Sequence, residues 1–295
     1  SSSWSRHDRL IPSPVTVPCG CLPVPLPYPT TVYSMSSGDS VLVGLVEEAL
    51  SMHVDSEWQE AHLYTPFYQG QAQLYEFADC LSVQTFLRMA QLPVQTRQRP
   101  NAEFISPTGE LPVLQMGPLL IAGFAPIVDL VRKKNAGLSS HLSDVQLADM
   151  AAQIAVIDHI LRRAEMWLVW EHDETYRMVT RQREGSIYKW PLSSVLPTLK
   201  RRQMRTRLAH AEWTGRSLSD VIEAADKAFR CLSAQLGTQN YMMGERVTEL
   251  DALVFGHLFA ILTTRLPTME LSNALRKHAN LVEFASRIER EFFDE

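Results

Sequence analysis

The segment VTELDALVFGHLFAIL, residues 247 to 262, constrains this chain most. Thr248 and Asp251 form a Ser/Thr-X-X-Asp capping box, in which each side chain satisfies a free N–H of the first helical turn. The helix that follows is apolar on nearly every side, so other elements must surround it. A helix start buried with it cannot turn to water, and the box therefore serves folding rather than catalysis. The apolar run, which contains Asp251 and His257, is too short for the roughly 20 residues of a membrane span.

The neighbouring sequence supplies the surrounding layer. Beyond about residue 143 the strand pattern stops. Leu147, Met150, Ala151, Ile154, Ile157, Leu161, Ala164 and Leu168 fall on one broad helical face. A second long helix is expected over 217–236, closed by Gly237, and others over 249–265 and 269–293. Upstream the pattern alternates instead. AHLYTPF reads as a strand, with QLYEF as its continuation or a turn. DCLSVQTFLRMAQLP reads as a helix from Asp79 to Pro93, and VQTRQRP as a second strand. LPVLQM and LLIA are short strands joined at Gly117-Pro118, before a helix with Pro126 in its first turn and basic residues in its last. This order is that of a small α+β thioredoxin-like domain followed by an all-α domain, the arrangement of glutathione transferases with their helical C-terminal domain. Periodicity alone gives a mixed domain plus a helical one, and the motifs carry the specific fold.

The expected boundaries are a disordered proline-rich arm over 1–40, a helix over 41–60, the thioredoxin-like domain over 61–140 and the helical domain over 141–295. Residues 1–34 hold 7 of the 17 prolines, a density that opposes regular structure. Folding, and with it native translation, is expected to start near Met35. No apolar h-region of a secretory signal precedes it. The 45% hydrophobic content supports a real core, and a net charge of −5 argues against a general nucleic-acid binder. Cys19, Cys21, Cys80 and Cys231 make neither a disulfide framework nor a paired metal motif, and the histidines form no zinc-binding pattern.

LPVLQMGPLLIAGFAP, residues 111 to 126, has the backbone signals of a small-thiol cradle: Pro112, expected in cis, then Val113 on the first strand of a hairpin. A glutathione-using protein of this fold has an acidic residue and a serine after the second strand. Gly123 and Phe124 stand there instead. Losing two charge-assisted hydrogen bonds removes about 3–6 kcal/mol, or roughly 10²- to 10⁴-fold in affinity. The thiol-activating position falls near Phe77. Cys80, one turn inward, reads as a buried structural cysteine, and Tyr64, Tyr68 and Tyr75 are undistinguished hydroxyls. Pro112, Val113, Gly123 and Phe124 therefore outline a vestigial cradle, with no catalytic, cofactor or metal residues assigned. KRRQMRTR (200–207) reads as a solvated helix face, whose best functional use would be contact with an anionic membrane surface or an acidic partner. Trp167, Trp170 and Trp190 read as core or groove residues.

Taken together, RPNAEFISPTGELPVL, YKWPL, LGTQNY, TELDALVFGHLFAILTT and LVEFASRIEREFF resemble the metaxin family, closest to its metaxin-2 type, from about residue 41 onward. The resemblance implies a non-enzymatic protein on the cytosolic face of the mitochondrial outer membrane, supporting protein import and β-barrel insertion. It implies a tail-anchored metaxin-1-like partner and a β-barrel insertase as companions. It also implies peripheral attachment, since the chain ends in EREFFDE. Gly123-Phe124 departs from the acidic residue expected there in the family. Two other readings accompany this one: a glutathione-dependent transferase or reductase using Cys80 or a tyrosine, and an adaptor linking mitochondria to transport machinery.

Overall fold

Side chains of the central strands alternate between two apolar faces, which lets a small sheet pack on both sides. In the computed structural model, residues 58, 60–68 and 70–293 are described, together with the backbone of residues 31 and 32. The remainder of the proline-rich arm, the start near Met35 and all but Trp58 and Glu60 of the helix expected over 41–60 lie outside the described residues. Strand β1 is Thr31–Val32, where the proline density ends. It is followed by β2 (His62–Thr65), β3 (Gln95–Gln98), β4 (Val113–Met116) and β5 (Leu119–Ala122), in the spatial order β1-β5-β4-β2-β3. β2 and β3 are parallel, whereas β4 is antiparallel to both β2 and β5. Gly117, at φ 55°, makes the β4–β5 turn.

Helices α1 (Leu74–Met89) and α2 (Phe124–Lys133) complete this layer. Leu63, Leu114, Met116, Leu119 and Ile121 join the main core with Leu81, Phe86, Ile127 and Leu130 of these helices. Tyr64, Val113, Leu120 and Ala122 form a second cluster with Ala102 and Cys80. Helix α1 begins at Leu74, five residues before the Asp79 start expected from the sequence, so QLYEF is neither strand nor turn. Gln73 and Glu76 cap it reciprocally: the Gln73 N–H donates to Glu76 Oε2 at 2.9 Å.

The strands end there, as expected. Helix α3 (Asp144–Val156), capped by Ser143, widens through a π turn at Ile157–Leu161 into α4 (Arg162–Trp170). Short helices α5 (Asp173–Thr175) and α6 (Arg181–Gly185) lead to α7 (Leu192–His210) and α8 (Leu218–Leu236). Helix α9 (Glu249–Thr263) is buried at every residue from Glu249 to Ile261. The single helix expected over 269–293 is two, α10 (Glu270–Arg276) and α11 (Ala279–Phe292). The break at Lys277-His278 lets Leu275 and Leu281 both enter the core.

The two layers meet where α9 crosses α1. Gly256 lies against the α1 backbone: a Cβ built on it would collide with Ser82 and stand 2.7 Å from the Ala78 carbonyl oxygen. Since backbone cannot move aside as a side chain does, Gly256→Ala must push the helices apart. The expected cost is about 1–3 kcal/mol, or more, in urea denaturation. Helix propensity alone would favour alanine there by about 1 kcal/mol, so any net loss reports the clash.

Candidate functional site

The cradle's backbone is in place. The Leu111–Pro112 peptide is cis. Pro112 O accepts from the Gly123 N–H at 3.0 Å, and Val113 pairs with Tyr64 and Ala122. Its chemistry is altered. Gly123 sits at φ 85°, where any side chain would be strained, and a Cβ there would stand 2.8 Å from Glu110 Oε2. Phe124 opens α2 and packs edge-on against Phe86 at 6.0 Å. The adjoining cavity of about 370 Å³ is lined by Asp79, Glu110 and Asp158 as well as Arg162 and Arg163. Burial raises the Asp158 carboxyl. Glutathione does not fit these residues. Positions 123 and 124 offer no side-chain hydrogen bond to either charged group of its γ-glutamyl end.

Among the described residues lining this cavity there is no tyrosine, serine or cysteine. Phe77 has no polar atom. Cys80 is buried, and burial, with Asp79 and Glu76 adding to it, pushes its thiol well above the ordinary value. A buried cysteine of this kind is inert rather than reactive. The Tyr64 hydroxyl donates to Gln115 Oε1 at 2.8 Å, Tyr68 accepts from Gln84, and Tyr75 donates to Glu76 Oε1 at 3.0 Å. Burial raises Tyr68 and Tyr75 well above the usual phenol range, so neither supplies an anion for activation.

A second cleft of about 330 Å³ opens beside the first, sharing Asp79, Glu110, Leu111 and Arg162 with it. Lys200, read from the sequence as part of a solvated basic face, is instead its anchor. Its ammonium lies 2.9 Å from Glu103 Oε1, 3.0 Å from both oxygens of Glu184 and 3.5 Å from Glu76 Oε1. These carboxylates come from the turn after β3, from α6 and from α1, so one cation ties the sheet layer to the helical layer. Burial opposes the charge on Lys200, but Glu76 and Glu184 raise its pKa well above normal.

Three carboxylates share that cation, and burial pushes Glu184 from 4.5 up to about 7 despite Lys200. The folded chain therefore holds a proton between these pH values that the unfolded chain has released. This group's stabilisation is greatest below about 4.5 and falls as pH rises through 7. Glu184→Gln keeps an acceptor for Lys200 but cannot titrate. Between pH 5 and 7.5 its unfolding free energy is expected to fall by up to about 3 kcal/mol less than the wild type's, as read by urea titration at both pH values.

Deeper, Arg162 holds Asp79 in a forked pair, with Nε at 2.9 Å and a terminal nitrogen at 2.8 Å from the same oxygen. Asp79 raises the Arg162 pKa further. Next to it, His257 of α9 faces Glu165 of α4 at 2.9 Å, both fully buried, with His257 Nε2 3.8 Å from Asp79. Burial alone would lower the His257 pKa; the Glu165 carboxylate overcomes this and raises it. The sequence reading missed this pair and the Lys200 cluster. Of the three tryptophans, Trp167 and Trp170 are core as expected, whereas Trp190 is 83% exposed. Residues 171–174 are held by ion pairs, Glu171 with Arg205 and Asp173 with Arg201.

Fold and site together define a protein of glutathione-transferase-like fold whose cleft is lined by its own ion pairs. Solved structures agree on the fold. The β-etherase LigF from Sphingobium aligns with TM-score 0.54 at 15% identity, over 80% of this chain and 99% of that one. A glutathione S-transferase of Ceriporiopsis subvermispora in complex with glutathione aligns with TM-score 0.53 at 13% identity, over 79% and 97%. Residues 225–288 match the family profile described as glutathione S-transferase, C-terminal domain, and residues 80–201 match the outer mitochondrial membrane transport complex protein profile. A metaxin-2 homolog of Caenorhabditis elegans is 51% identical over 78% of this chain and all of its own length. Human metaxin-2 is 38% identical over 86% of this chain and 97% of its own. The chain belongs to the metaxin family.

Proposed function

We propose that this chain is a non-enzymatic subunit of a sorting and assembly complex of the mitochondrial outer membrane. In this reading it supports protein import and β-barrel insertion by binding a tail-anchored metaxin-1-like partner beside the β-barrel insertase. The carrying observation is the cleft itself, where Lys200 and Arg162 are satisfied by the chain's own carboxylates. Family membership and the transport-complex profile over residues 80–201 give that cleft its context. Residues 61–140 and 141–295 would act as one scaffold, locked by Lys200 on Glu76 and Glu103 and by Arg162 on Asp79 rather than hinged for substrate. Among the described residues no helix is long and apolar enough to cross a membrane, which supports peripheral attachment, on the cytosolic face, through the anchored partner.

Affinity purification of the tagged chain from gently solubilised mitochondria tests this. Mass spectrometry is expected to recover a metaxin-1-like protein and the insertase, and removing that partner should release the chain from mitochondria. A chain found wholly in the soluble fraction with neither companion would overturn the proposal.

A further inference from the structure

An ordinary surface helix turns polar residues outward. Helix α7 buries Pro197, Met204 and Leu208, yet the outer face of its first half carries Leu192, Val195 and Leu199, all exposed, Leu199 by 58%. Their spacing of three and four residues places them in one stripe. Trp190, just ahead of the helix, adds an exposed indole, and Phe104, which lines the same cleft as Leu199, is 75% exposed. A tryptophan beside an aliphatic stripe suits a boundary between apolar and aqueous phases, its ring in one and its N–H in the other.

The charge around the stripe identifies its occupant. From Ser186 to His210 the chain has six Lys or Arg residues and no Asp or Glu. Lys200, Arg201 and Arg205 are used internally, against Glu184, Asp173 and Glu171. Lys189 and Arg202 are exposed and make no ion pair among the described residues. Lys189 flanks Trp190, and Arg202 continues the stripe one turn beyond Leu199. A protein partner has no need of an acid-free surface, whereas an anionic bilayer selects against every carboxylate near it. The rest of a chain with net charge −5 is repelled by such a surface, so one basic, apolar face would fix the orientation.

We propose that the Trp190–Arg202 face docks directly on an anionic phospholipid surface, with Trp190, Leu192, Val195 and Leu199 in the headgroup–acyl boundary and Lys189 and Arg202 among the headgroups. This goes beyond the partner-bound role above and does not rest on it.

The test is flotation of the full chain with extruded vesicles of phosphatidylcholine alone or with 30% phosphatidylserine. Wild type is expected to float with the anionic vesicles at least tenfold better than with phosphatidylcholine, and to be released by high salt. Lys189→Glu/Arg202→Glu should weaken binding at least 25-fold, at about fivefold for each charge lost, and Trp190→Ser/Leu199→Ser about tenfold or more. All four side chains are exposed, so melting temperatures should match wild type. Wild type that ignores both vesicle types, or variants that float as wild type does, would overturn the proposal. Variants that float normally but lose a metaxin-1-like protein in purification would reassign the face to a protein. Loss of flotation with partner recovery intact would support lipid docking and leave the subunit role standing.

Discussion

His257→Leu is expected to destabilise the chain by about 3–5 kcal/mol, because it leaves the fully buried Glu165, whose carboxyl burial already raises, without its hydrogen-bonded imidazole. The loss should lower the melting temperature by roughly 10 °C at the usual sensitivity of about 2–4 °C per kcal/mol for a chain near this size. Glu165→Met in the same background should recover most of the loss, since replacing a whole buried pair with apolar side chains is often close to neutral. Urea denaturation of the single and double variants separates the two cases. A single variant within about 1 kcal/mol of wild type would mean that the pair is not held charged in the fold.

Asp251→Ala should be comparably severe. Its carboxylate accepts from the Met242 N–H at 2.6 Å, the Thr248 N–H at 2.8 Å and the Thr248 hydroxyl at 2.7 Å. Removing it orphans two buried backbone donors at about 1–3 kcal/mol each, or about 2–6 kcal/mol in all. Burial raises the Asp251 carboxyl to about 6 even against these bonds, which shows how completely water is excluded from this helix start. Asp251→Asn retains one accepting oxygen and should cost roughly half as much, read by the same denaturation.

Local signals made much of this legible in advance. The hairpin at Gly117, the capping box at Thr248 and Asp251, the Gly237 helix end and the switch from alternating to purely helical pattern each lie within a few residues, so sequence spacing expresses them directly. The Pro112 site follows from its position before a strand and hairpin. What escaped lies in long-range pairing. Lys200 sits in a run of five cations and no acids, and nothing in that run says that residues 76, 103 and 184 converge on it. The early start of α1 was hidden because Gln73 is an uncommon N-cap.

His257 carried a weaker signal. A titratable residue inside an otherwise apolar helix calls for a buried partner, and Glu165, between Ala164 and Met166 on a largely apolar face, was the available one. Trp190 shows the converse difficulty. Its hydrophobicity predicts burial, and only the fold reveals that α7 turns its N-terminal stripe outward.

In the proposed reading, the cleft keeps the transferase architecture and gives up the ligand, with internal ion pairs in the ligand's place. Calorimetric titration of the full chain with reduced glutathione tests this most directly. No saturable heat is expected up to about 10 mM ligand, in keeping with a loss of about 3–6 kcal/mol from an enzyme's affinity. Saturation with a dissociation constant below about 0.1 mM would contradict it and return the cleft to thiol chemistry.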